Sequence, residues 1–228
     1  MSPNLKSVLT ALALAAILLT VSVRVIAPKL PPLVGRADVQ ETRNFAHANV
    51  NALRLASTDG MVIITPTSGS SITGNAVIRA FRRGDTTEDQ LREYVAGLVQ
   101  MREEQGALVI QTEPGPRPAE YDLFVQYEIN VPEGTDLEVT SNNGNVWIRP
   151  GCGNVKVAGR NSDIDIAKPL GSVHAESVNG RIQLAEAPAG GTLRTVNGDV
   201  YAEVAGGKLD AATDNGVIHA RLLGGAVE

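Results

Sequence analysis

The chain has 228 residues, 43% of them hydrophobic and 20% charged, with a net charge of −5; this is one domain or two small ones, and not a disordered polyelectrolyte. The acidic balance argues against a dedicated nucleic-acid binder, which needs a clustered basic surface. One cysteine excludes an intrachain disulfide and a cysteine-based zinc site, and 23 glycines with 4% aromatics suit a repetitive β architecture better than a helical one.

The chain opens with a short tail carrying Lys6, then 17 uncharged residues, 7–23, reading SVLTALALAAILLTVSV. As a helix they span ~26 Å, close to the ~30 Å bilayer core, and Arg24 can snorkel and lengthen the span to about residue 27. The segment reads as a retained transmembrane anchor over 1–27, with a cleaved signal peptide as the alternative. The nearest small-residue cleavage site ends at Ala27, and Pro28 after it disfavours cleavage. Arg24, Lys29, Arg36 and Arg43 follow the span, where the positive-inside rule would hold them in the cytoplasm. Against that conflict, the expected topology places the C-terminal domain outside the cytoplasmic membrane. A stiff, proline-rich linker follows over 28–40.

A β segment with one helix is expected over 41–136. Alternation begins at Val50 and continues through Leu53 and Leu55. Thr58-Asp59-Gly60 then gives a tight-turn signal before Met61, Val62, Ile63 and Ile64. Further strands are expected over 75–81, 107–112 and 121–131, with a proline-bearing loop over 113–119. The spacing predicts a helix over 88–105. Thr87 is its N-cap, Gln90 completes a capping box, Leu91, Tyr94, Val95, Leu98 and Met101 share one face, and Gly106 is the stop.

From Leu137 a unit repeats. Asn143, Asn161, Asn179, Asn197 and Asn215 are each 18 residues apart. Glycine follows in four units (Gly144, Gly180, Gly198, Gly216), and Ser162 in the fifth. Three positions after Asn stands Val146, Ile164, Ile182, Val200 or Ile218; four before stands Val139, Val157, Ala175, Leu193 or Ala211. The position two before Asn is always small: Ser141, Gly159, Ser177, Thr195, Thr213. Each unit reads as two short strands with an Asn-Gly corner between them and a Gly-rich corner after them. A constant period is what stacked coils ~4.8 Å apart demand. The predicted fold is therefore mainly all-β: a parallel β-solenoid or β-roll of five 18-residue coils over 137–228, one accessory α-helix and an N-terminal transmembrane helix. The Val/Ile/Leu ladders form the core, and the Asn side chains bond to one another along the axis.

From about Val50 onward the chain resembles the bacterial putative-adhesin family of β-strand-repeat proteins, domains of unknown function. The resemblance rests on LRLASTDGMVII (53–64), YEINVPEGTDLEVT (127–140) and the recurring Asn-Gly-x-Val/Ile unit. It covers about three quarters of the chain and implies an envelope-associated β-solenoid with an adhesive or scaffolding role. No catalytic residues come with it.

Outward positions also form ladders. Four after Asn come Trp147, Asp165, Gln183, Tyr201 and His219; two after come Asn145, Asp163, Arg181, Asp199 and Val217. Trp147, Asp163, Asp165, Gln183, Asp199, Tyr201 and His219 make a candidate binding face. Rings suit the apolar side of a sugar and carboxylates its hydroxyls, whereas the alternative is an ordinary polar outer face. Charge pairs are expected between Glu138 and Lys156 and between Glu176 and Arg194. His47, His174 and His219 share no register, and five coils without an insertion leave no loops to wall a cleft, so no enzyme, metal or cofactor is expected. Cys152 reads as an inert thiol at a corner. Expected partners are the membrane and an envelope glycan or surface protein, with self-association or end-to-end polymerisation as alternatives; nucleic acid is not expected. A sensor of envelope stress is a third reading.

Overall fold

In the computed structural model, residues 37–82, 85, 87–113 and 121–223 are described. The apolar segment at 7–23, the linker up to residue 36 and most of the loop at 113–119 lie outside them. Among the described residues no helix is long and apolar enough to cross a membrane.

The described residues form one compact unit. Its elements are β1 (Val39–Ala48), β2 (Ala52–Thr67), β3 (Ser71–Arg82), α1 (Glu88–Leu98), β4 (Val99–Glu104), β5 (Ala107–Thr112) and β6 (Tyr121–Pro132). The repeat supplies β7 (Asp136–Asn143), β8 (Val146–Ile148), β9 (Val155–Asn161), β10 (Ile164–Ala167), β11 (Val173–Asn179) and β12 (Ile182–Ala187). It continues through β13 (Gly190–Asn197), β14 (Val200–Val204), β15 (Lys208–Asn215) and β16 (Ile218–Leu222). The fold is mainly β, parallel and solenoid-like. Odd-numbered repeat strands stack in one sheet, in the order β7-β9-β11-β13-β15; even-numbered ones stack in a second, β8-β10-β12-β14-β16. Register is kept at 18 residues, as in Val173 opposite Val155 and Ile164 opposite Ile182.

The Thr58-Asp59-Gly60 signal is not a hairpin. β2 runs through it as one more coil, its first half pairing parallel with β7 and its second half with β8. Asp59 falls opposite Asn143, and Leu53, Leu55, Ser57, Val62 and Ile64 fall opposite Leu137, Val139, Ser141, Val146 and Ile148. The segment between this coil and the next builds the other end of the stack. β5 and β6 extend the two sheets parallel to β2 on its far side, and β4 and β3 then pair antiparallel with them. β1 closes the second sheet against β3.

The helix expected over 88–105 stops at Leu98. Its capping box forms as read, with Gln90 N–H donating to Thr87 Oγ1 at 3.3 Å. From Val99 the chain is instead strand β4, paired with β5. Gln105 and Gly106 both have positive φ (51° and 79°), so Gly106 belongs to a two-residue hairpin turn rather than a helix stop. The helix joins the second-sheet strand β3 to the first-sheet strand β4, and Leu91, Val95 and Leu98 enter the common core. Arg43 of β1 ties down the helix end, donating to Val95 O (2.8 Å), Ala96 O (2.7 Å) and Val99 O (2.9 Å). Those carbonyls lack helical partners, and a cation is favoured there.

The Asn ladder forms as expected. Asn161, Asn179 and Asn197 each donate Nδ2 to the preceding Asn Oδ1 at 2.7 Å, and Asn215 does so at 2.9 Å. Its first member, Asn143, donates to Asp59 Oδ1 at 2.7 Å, so the ladder begins on an acceptor-only side chain. A second ladder at the other corner also begins on a carboxylate: Asn154 donates to Asp136 Oδ1, and Ser172 to Asn154 Oδ1.

Glycine at the corner is a steric requirement. A Cβ on Gly180, Gly198 or Gly216 would lie 2.0–2.2 Å from the carbonyl oxygen one coil below. The departure at Ser162 is compensated. A Cβ on Gly159 would lie 2.9 Å from Ser162 Cβ, and the Ser162 side chain turns inward and is buried. Its hydroxyl lies 3.2 Å from Ser141 O and Oγ. In other coils the residue two before Asn does this work: Ser177, Thr195 and Thr213 each donate to a carbonyl one coil below. Gly159→Ser alone should therefore overpack the corner and cost ~1–3 kcal/mol. Gly159→Ser with Ser162→Gly should recover most of that in urea denaturation. Equal stability of the single variant and the parent would refute the exchange.

Candidate functional site

The outward strip of the second sheet carries the residues expected to bind. Along it the register places Ile63, Trp147, Asp165, Gln183, Tyr201 and His219 on successive coils. Ile63 is buried; Trp147, Asp165 and Gln183 are half-buried; Tyr201 is 37% exposed and His219 is exposed. Tyr201 and His219 stack face to face, with centroids 4.9 Å apart and planes 12° apart, close to the coil spacing. Trp147 and Tyr201 are three coils apart, or about 14 Å. The strip is thus a flat row bounded by rings, with a carboxylate and an amide between them.

Asp165 is the chemically distinct member. Among the described residues no side chain hydrogen-bonds its carboxylate. Burial raises its pKa, while Arg149 and Arg181 pull it the other way. It is therefore a partly desolvated acceptor between two guanidinium groups and beside an indole. The other two carboxylates hold the corner instead. Asp163 Oδ1 accepts from the Arg181 backbone N–H at 2.8 Å, and Asp199 Oδ1 from that of Val217 at 2.9 Å. Each satisfies an amide of the following coil. Asp199 also accepts from Tyr201 Oη, at 3.4 Å, which steers the ring.

Sequence reasoning missed a groove of about 740 Å³ across the outer face of the first sheet. Its floor includes Arg54, Glu138, Lys156, His174, Thr192 and Asp210. Several of the charges there are already paired. Glu138 accepts from Lys156 Nζ at 2.9 Å, which with Arg54 holds its carboxyl below the usual range. The pairing expected between Glu176 and Arg194 does not form. Arg194 reaches Asp210 at 3.2 Å, and Glu176 lies 3.1 Å from His174 Nε2. Both contacts are exposed, so side-chain reach rather than register selects the partner.

His47 sits on β1, 2.7 Å from Glu103, far in sequence from His174 and His219. Cys152 is fully buried and its thiol is pushed up to about 12 by burial. Tyr127, also buried, is raised to about 12 by burial; its hydroxyl lies 2.7 Å from Thr112 Oγ1 and links β6 to β5 across the two sheets.

Two outcomes follow from these environments. Because the Asp165 pKa is raised on folding, its ionisation weakens the fold. The stability associated with its protonated form is complete below the unfolded pKa and is lost as pH rises through the folded one. Asp165→Asn should therefore melt at or above the parent at neutral pH, with the gap closing as pH falls below about 4. A variant less stable at neutral pH would contradict the assignment. The Cys152 thiol should be inert to a thiol reagent in the native protein and react only at the rate of unfolding; rapid native labelling would contradict its burial.

No family model matches the chain, and no curated protein does. The solved structures it is similar to include a putative adhesin from Bacteroides fragilis NCTC 9343, 13% identical, with a TM-score of 0.40 over 81% of this chain and 97% of that one. A putative cell adhesion protein from Clostridium sporogenes ATCC 15579 is 12% identical, with a TM-score of 0.33 over 81% and 99% of the two chains. A putative lipid binding protein from Parabacteroides distasonis ATCC 8503 is 13% identical, with a TM-score of 0.30 over 82% and 95%.

Proposed function

We propose that the protein is an adhesin-like binding module of the bacterial envelope, held by residues 7–23 at the membrane with its coils outside the cytoplasm. The reading is of binding rather than catalysis. The observation that carries it is the second-sheet strip, where the rings of Trp147, Tyr201 and His219 flank Asp165 and Gln183 on an open surface. Rings at the coil spacing present apolar faces, and the carboxylate and amide between them accept or donate to hydroxyls. An extended ligand fits this arrangement better than a compact one, because the strip is long, flat and repeated in ~4.8 Å steps. An envelope polysaccharide has that form. The first-sheet groove is the weaker candidate, since Arg54, Glu138, Lys156 and Asp210 in it already have ionic partners.

The full-length chain in mild detergent, tested on immobilised envelope polysaccharides, should bind at least one of them. Trp147→Ala with Tyr201→Ala should weaken that binding by tenfold or more, about 1.4 kcal/mol. Lys156→Ala with His174→Ala in the groove should leave it unchanged. Loss through the groove pair and retention by the ring pair would overturn the assignment. A C-terminal tag digested by protease in intact or outer-permeabilised cells supports the extracytoplasmic placement, and protection until the inner membrane is lysed refutes it.

A further inference from the structure

The two ends of the stack are built differently. At the β2 end the parallel coils are covered by antiparallel strands: β4 lies on β5, β3 on β6 and β1 on β3, which leaves β4 and β1 as the edge strands there. These are antiparallel additions, so no 18-residue coil is exposed there for an incoming coil to continue. At the other end the inward ladder positions are uncovered among the described residues. Val200 and Val204 are 0% and 1% exposed, whereas Ile218 and Leu222, directly above them, are 41% and 49% exposed. The sequence pattern puts these last-coil residues in the core, and the structure leaves them open. Inward residues also turn their N–H groups toward the following coil, as Val155 does to Ser172 O and Val200 to Val217 O, both at 2.9 Å. In β15 and β16 the equivalent groups belong to Leu209, Ala211, Thr213, Ile218, Ala220 and Leu222, and they face out of the stack.

We infer that this end binds the same end of a second copy, in a closed tail-to-tail dimer whose two-fold axis passes through Ala211 and Ala220. The β2 end presents no 18-residue coil for head-to-tail growth to continue, which favours a dimer that closes on itself over a filament. Symmetry and side-chain direction fix the register. An antiparallel pair must oppose inward residues to inward residues, so Ala211 meets Ala211 and Leu209 meets Thr213. In β16, Ala220 meets Ala220 and Ile218 meets Leu222. One axis serves both strands, because Ala211 lies four residues before Asn215 and Ala220 four after Gly216. The same register sets Lys208 of each copy opposite Asp214 of the other, on the outer face. The unpaired N–H groups and the exposed Ile218 and Leu222 are thereby covered. The inference does not rest on the ligand strip.

The test is self-cross-linking of variants of the full-length chain that each carry one added cysteine, in mild detergent, read on a non-reducing gel after mild oxidation. On-axis residues of an antiparallel pair have Cα atoms about 5.5 Å apart, within disulfide reach, whereas two copies of residue 212 are diagonal neighbours beyond it. Ala211→Cys and, independently, Ala220→Cys should each give a covalent dimer, and Ala212→Cys should not; native Cys152 is buried and serves as the internal control. Adding Asp214→Lys should lower the Ala211→Cys product about tenfold, and adding Lys208→Asp to that should restore it. Melting curves confirm that each variant is folded. Equal cross-linking at 211 and 212, or insensitivity to Asp214→Lys, would overturn the register. A product that appears only after residues 224–228 are deleted would make the chain's own tail the occupant. Absence of product from both on-axis variants would overturn the dimer.

Discussion

The structure depends on how closely one coil lies on the next at the Asn-Gly corner. A strand can absorb a larger side chain by pointing it outward, but a corner cannot, because its backbone atoms face those of the coil below. The carbonyl oxygen under Gly198 leaves no room for a Cβ, which would lie 2.2 Å from it. Fixing that contact fixes the length of every coil, since one extra residue would move all inward side chains to the outer face. The five Asn residues at intervals of 18 are the visible trace of this constraint. Their amides then hydrogen-bond in series, each bond contributing about 0.5–1.5 kcal/mol. The one unit that breaks the glycine rule moves its hydroxyl from position 159 to position 162 and so keeps the corner's hydrogen bond.

A repetitive stack has two ends, and each needs a separate solution. At the start, the chain leaves the repeat after one coil, builds α1 and the antiparallel strands, and returns to begin the repeat proper. Arg43 belongs to that solution. In the sequence it is one more positive charge after the apolar segment; in the fold it binds three carbonyls at the end of α1. The two ladders start on carboxylates, Asp59 and Asp136, which can accept from the next coil without needing a donor below. At the far end Ile218 and Leu222 of the described chain are half-exposed, and the proposed second copy would cover them.

The repeat was legible because its signal is periodic and each coil repeats its environment. The first coil escaped because its offset to the next is not a multiple of 18 and its corner carries Asp59 instead of Asn. Aligning LRLASTDGMVII directly on LEVTSNNGNVWI would have exposed it. β1 was missed because its inward residues include Glu41, Arg43 and His47, which serve the helix end and Glu103 rather than an apolar core. Met101 keeps helical spacing with Leu98, so the end of α1 was invisible locally; pairing of β4 with β5 decides it, and that is a tertiary preference. At the candidate site the register of Trp147, Asp165, Gln183, Tyr201 and His219 was readable. The division of labour among the carboxylates was not, because only the backbone amides of the next coil show that Asp163 and Asp199 are corner braces while Asp165 is not.

The most direct measurement is amide hydrogen exchange resolved to the corner glycines. The N–H groups of Gly144, Gly180 and Gly198 bond to the Asn carbonyls of the following coil, at 3.0–3.1 Å, and would have no such partner in separate hairpins. Stacked coils predict that these three amides are protected as strongly as the inward residues of β9 and β11. Rapid exchange at the corners beside protected strands would contradict the stack and everything built on it.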